Sequence, residues 1–170
     1  MKQPILLKTI LDVCLILLFF SFFGSFLVFL IGLFGNNFAP MELNHREISM
    51  ITPEVISLVI AQFIVSGLLV YTVYLLRKLV RNFFKGKLFT LYQIASLKLI
   101  GQLIILVILL QGVLDFLGGI FLSEKVRMGI QMDLSFGSLW FILAIGLFFI
   151  YLSKIFDNAR RIKEENELTV

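Results

Sequence analysis

Residues 75–90 read LLRKLVRNFFKGKLFT, and the reading of this stretch decides the fold. Leu76, Leu79, Val80, Phe83 and Phe84 alternate here with Arg77, Lys78, Arg81 and Lys85 at helical spacing. Nowhere else do several cations interleave with apolar residues. An apolar segment precedes the stretch, Val55–Leu76, and another follows it, Leu97–Phe121. Each exceeds the ~20 residues that cross ~30 Å of hydrocarbon at ~1.5 Å per residue. The stretch is therefore a basic hairpin joining two membrane-spanning helices.

Working outward, Leu11–Phe34 and Leu134–Phe156 are of the same kind. The 170-residue chain is 59% hydrophobic and 15% charged, with a mean hydropathy of +1.01. An ordinary soluble domain carries about 25% charged residues, and so small a volume has no interior for this much apolar surface. Lipid must cover most of it. None of the four segments alternates apolar and polar positions, which argues against a closed barrel. The expected fold is an all-α membrane protein, a single domain over 1–170. Four transmembrane helices, about 4–34, 53–85, 91–121 and 134–165, form an up-down-up-down antiparallel bundle with cytosolic helix extensions. The amino-terminal apolar run is too long for a signal peptide and lacks a small-residue cleavage site, so it is expected to stay as a helix.

Orientation follows from Lys and Arg. Lys2, Lys8, Arg77, Lys78, Arg81, Lys85, Lys87, Lys98, Lys154, Arg160, Arg161 and Lys163 fall on one side, and only Arg46, Lys125 and Arg127 on the other. Both termini and the hairpin 77–90 are thus expected in the cytosol, together with a tail over 158–170. Helix punctuation lengthens the rods beyond the bilayer. Pro4 suits a first turn, Thr52-Pro53-Glu54 reads as N-cap, N1 proline and acidic first turn, and Gly86 suits a helix end. Thr90-Leu-Tyr-Gln93 matches a capping box. Each rod should be roughly 30 residues and project about two turns past the lipid.

Few residues are candidates for chemistry. Asp115 is the one acid well inside a span, where a charge costs at least ~2.5 kcal/mol, so it should face the bundle or be protonated. At ~100° per residue Gln111 and Asp115 lie close to Gly118, with Gly101, Gly112 and Gly119 beside them. Gln62 reaches similar depth, so Gln62, Gln111 and Asp115 are expected to form an intramembrane polar cluster. It would serve either as a proton- or ligand-sensing site or as interhelical glue. Asp12 has a local partner in Lys8, four residues earlier. Cys14, Ser21, Ser25 and Gly32 form a small-residue stripe suited to helix packing. The lone cysteine allows no intrachain disulfide. His45 near Glu42, Glu47 and Glu54 is a poor metal signal. With no paired nucleophile and base and no phosphate loop, no enzyme activity, metal or cofactor is expected.

The hairpin spacing Phe84, Gly86, Phe89 and the ending IFDNARRIKEENELTV (155–170) resemble the bacterial four-helix membrane proteins grouped as domain of unknown function 2975. Where that family carries an asparagine soon after the second phenylalanine, this chain has Gln93. The resemblance implies a protein of the bacterial cytoplasmic membrane with no established activity. It also implies a neighbouring cytosolic helix-turn-helix transcription regulator, bound or sequestered by this protein. The contact surface would be Arg77, Lys78, Arg81, Phe84, Lys85, Lys87 and Phe89 of the hairpin, with Glu165, Leu168 and Val170 of the tail. No direct nucleic-acid binding is expected, and a homo-oligomer is compatible with the sequence. Alternatives are an immunity or envelope-stress protein against a membrane-active peptide, and a small oligomeric carrier or channel. For the hairpin itself the functional readings are a docking surface for an acidic partner and contact with anionic lipid, and the plainer one is topology-setting charge with aliphatic stems lying at the headgroups.

Overall fold

A computed structural model describes residues 5–34, 41–43, 46–48, 52–83, 90–121 and 139–168. Four helices dominate: α1 (Ile5–Phe34), α2 (Pro53–Phe83), α3 (Leu91–Phe121) and α4 (Leu139–Leu168). They hold 30, 31, 31 and 30 residues. At ~1.5 Å per residue each is roughly 45 Å long, against ~30 Å of hydrocarbon. All four are long and apolar enough to cross a membrane. Between α1 and α2 lies a feature absent from the sequence reading, a two-stranded antiparallel hairpin of β1 (Met41–Leu43) and β2 (Arg46–Ile48). Its register sets Met41 against Ile48 and Leu43 against Arg46. Strands of three residues leave no periodicity to detect.

Two helix starts form as their sequences dictate. The Thr52 hydroxyl accepts from Val55 N at 3.4 Å, with Pro53 at N1 where its missing N–H costs nothing. At α3, Gln93 N donates to Thr90 Oγ1 (3.3 Å) and Thr90 N donates to Gln93 Oε1 (3.4 Å), a reciprocal capping box. Gly86, the expected end of the second helix, lies outside the described residues, as do Pro4 and residues 134–138.

Successive helices run antiparallel, and each packs chiefly on its neighbours in sequence. Leu75, Leu79, Leu97, Ile100 and Leu103 form the main core, joined from α4 by Phe149, Leu152 and Phe156. This three-helix core sits towards the end that holds the α2–α3 connection. At the other end Leu58, Val65 and Leu114 hold α2 to α3, while Val55 and Val59 meet Phe29 of α1. α3 and α4 come into close backbone approach at Gly101 and Gly146. A Cβ on Gly101 would lie 2.6 Å from the Gly146 carbonyl oxygen, and one on Gly146 would lie 2.7 Å from Ile105 Cγ1. Only glycine permits that backbone approach.

α1 is different. None of its most apolar window is buried, against 28% of that of α2. Its small-residue stripe is not what docks it, since Cys14, Ser21 and Ser25 are exposed and only Gly32 is buried. Phe22, Phe26 and Phe29 instead surround Phe63 of α2, with ring centroids 5.6–5.8 Å apart. The stripe was legible as a pattern, but aromatic rings on the neighbouring face won the contact.

Candidate functional site

Two groups of polar residues interrupt this apolar frame. The first lies at the end where α1 begins, α2 ends, α3 begins and α4 ends. Tyr74, Arg77, Lys78, Arg81 and Asn82 are spaced by three, four, seven and eight residues, so a helix places them on one face. They line an open cleft of about 380 Å³. The Arg77 guanidinium pairs with Asp12 of α1 through Nε and Oδ1. Asp12 therefore does not rely on Lys8, as helical spacing suggested. A guanidinium on the packed neighbour offers a directed hydrogen bond that a flexible exposed ammonium one turn away does not. Lys78 Nζ lies 5.3 Å from the centre of the Tyr92 ring on α3, within cation–π range. Among the described residues Arg81 makes no ion pair.

α4 continues past its apolar part as a charged helix. Asp157 meets Arg160 (3.8 Å) and Arg161 (3.5 Å), Arg160 meets Glu164 (3.6 Å) and Lys163 meets Glu167 (3.7 Å). These three- and four-residue pairs add a few tenths of a kcal/mol each. They keep the segment helical to Leu168 with Glu164, Glu165 and Glu167 exposed. Phe84, Lys85, Lys87, Phe89 and Val170 lie outside the described residues, as does the side chain of Leu168.

The second group is inside the spans. Gln62 Nε2 donates to Gln111 Oε1 at 3.2 Å, and Gln111 Nε2 donates to Asp115 Oδ1 at 3.4 Å. The structure thus brings Gln62, Gln111 and Asp115 into one chain linking α2 to α3. Asp115 is exposed at the flank of this seam rather than turned into the bundle. Gln62 Oε1 is buried without a hydrogen-bond partner. Gly101 and Gly112 do not stand beside the chain, because both turn towards α4. A helical wheel gives relative angles on one helix and not which neighbour each angle meets. His45 lies outside the described residues, and among those described no three potential metal ligands cluster.

Sequence reasoning missed the Asp12–Arg77 pair, Tyr74 and Asn82 as cleft residues, and Phe63 as the seat of α1. The first had a signal: Asp12 and Arg77 are each the first charge met on entering or leaving an apolar run at the same end. Four apolar helices, a basic end and a hydrogen-bonded polar chain within the spans define a multi-pass membrane protein of the four-helix type. The chain belongs to the family described as Protein of unknown function (DUF2975), which matches residues 13–170. No curated protein and no solved structure matches it.

Proposed function

We propose that this protein is a non-enzymatic membrane anchor whose basic end lies in the cytosol of a bacterium and holds a soluble transcription regulator there. The observation that carries the reading is the extension of α4. About four turns of ion-paired helix, Ile155 to Leu168, continue beyond the apolar span with both charge signs exposed. A bare topology signal needs only a few cations, whereas a rigid, charged helix offers a protein partner a shaped surface. The hairpin 77–90 supplies the rest of the contact. A helix-turn-helix regulator held there would be withdrawn from its promoter by mass action.

Affinity purification of the full-length protein from detergent tests this directly. A DNA-binding protein should co-purify and be lost on deletion of residues 158–170. Promoter occupancy that is the same with and without the membrane protein would end the sequestration reading.

The hydrogen-bonded chain of Gln62, Gln111 and Asp115 favours a second reading, a small oligomeric carrier or channel. Intramembrane ionisable groups commonly mark ion or proton paths. Flux into proteoliposomes that Asp115→Asn abolishes would select it over the anchor.

A further inference from the structure

The cleft face of α2 continues towards the apolar middle of the helix as a single stripe. Ile64, Gly67, Tyr71, Tyr74 and Lys78 follow one another at three- and four-residue steps, with Arg77 and Arg81 at its polar end. Ile64, Tyr71 and Tyr74 are 60%, 47% and 46% exposed. At Gly67 a Cβ would meet nothing within 4 Å, so no side chain covers the stripe beside the two tyrosines. From Ile64 to Arg81 the helix rises about 25 Å, close to the depth of one leaflet with its headgroups. Tyrosine one turn to the apolar side of the first cations is the arrangement found at headgroup level.

The charge at the polar end is unbalanced. Asp12 engages Arg77, which leaves Lys78 and Arg81 without an ion pair among the described residues. Lys78 rests against the Tyr92 ring, which holds its ammonium in place without neutralising it. Asn82 adds an amide donor to the same cleft. Two cations held at the level of lipid phosphates, above a tyrosine-lined apolar track, match an amphiphile with a negative head. A zwitterionic head would bring its own ammonium against Lys78 and Arg81.

We propose that this stripe binds one anionic glycerophospholipid. Its phosphate is held by Arg77, Lys78 and Arg81, and an acyl chain runs past Tyr74 and Gly67 towards Ile64. The site does not depend on the anchor reading, since it is filled from the bilayer and its occupancy is read without any soluble partner. Asp12 sets its strength, because it competes with the phosphate for Arg77.

Native mass spectrometry of the full-length protein in a nonionic detergent tests the site, with phosphatidylglycerol and phosphatidylcholine titrated separately. Each unpaired cation near the headgroups is worth about fivefold in affinity. Phosphatidylglycerol should therefore bind about 25-fold tighter than phosphatidylcholine. Lys78→Gln with Arg81→Gln should erase that preference, whereas Arg160→Gln with Arg161→Gln should leave it. Both α2 residues are exposed and leave the core and the Asp12–Arg77 pair in place, so size-exclusion and circular dichroism should be unchanged. Asp12→Asn should tighten phosphatidylglycerol about fivefold by the same reckoning, a sign that a purely structural role would not produce. Equal binding of the two lipids, or equal loss in both double variants, overturns the proposal. So does displacement of the lipid by inorganic phosphate in millimolar excess, which would assign the cations to a soluble anion instead.

Discussion

The seam between α3 and α4 and the seam between α1 and α2 join helices of nearly equal length by different means. In the first, Gly101 and Gly146 bring two backbones together and flanking isoleucines fill the space around them. In the second, one phenylalanine sits among three others and one ion pair closes the end. Lipid tails are as apolar as leucine, so burial of apolar area does little to drive helices together in a membrane. What remains is close fit, hydrogen bonding and charge. α3–α4 rests on the first of these and is continuous along the helices, while α1–α2 rests on two local contacts. α1 should therefore be the helix that separates most readily from the rest.

The largest test of that contrast is Gly101→Leu. Its side chain has no space between α3 and the Gly146 carbonyl, and overpacking of this kind costs about 3 kcal/mol. Unfolding in a detergent titration should show the loss. Gly24→Ala, at a glycine of α1 with nothing within 4 Å, should leave stability unchanged or raise it by up to ~1 kcal/mol. Equal losses at the two glycines would erase the distinction between the seams.

Arg77→Ala comes next, because it leaves Asp12 without its partner at the membrane edge. A hydrogen bond to a charged group contributes about 2 kcal/mol. Limited proteolysis should report release of α1 while the α3–α4 unit stays folded. Exchanging the charges, Asp12→Arg with Arg77→Asp, should restore part of the loss. If it does not, the pair is not what holds this end of α1.

The smallest effect is expected from Gln62→Leu, which removes the link from α2 to Gln111. Interhelical hydrogen bonds in membranes average about 0.6 kcal/mol, and Gln62 already carries an unsatisfied buried oxygen. A stability change within ~1 kcal/mol, with the oligomeric state preserved, fits a structural link of this size. A much larger loss would make the α2–α3 seam a third kind, held by polar contact.

Much of this is legible in the amino-acid sequence. Run lengths of apolar residues mark four spans, because the bilayer thickness sets a minimum length that nothing else in the chain imitates. Thr52 and Thr90 announce their caps because capping is a contact over three residues. Gln62, Gln111 and Asp115 could be matched by depth because rise per residue is constant along a helix. The Asp12–Arg77 pair is separated by 65 positions and depends on which helix lies beside which, so helical spacing offered Lys8 instead. The small residues of α1 looked like its packing face, and the phenylalanines on another face took that role.

By itself the amino-acid sequence determined that lipid surrounds this chain, how many times the chain crosses it, and at which end the cations gather. Those properties follow from local hydrophobicity and charge, which are additive along a strand of residues. Only the tertiary structure decided that α3 and α4 meet at Gly101 and Gly146, that Asp12 engages Arg77, and that Ile64, Tyr71 and Tyr74 of α2 stay exposed. Each of these depends on the rotation of one helix about its axis relative to another. A fraction of a turn exchanges one neighbour for the next while leaving every hydropathy value the same.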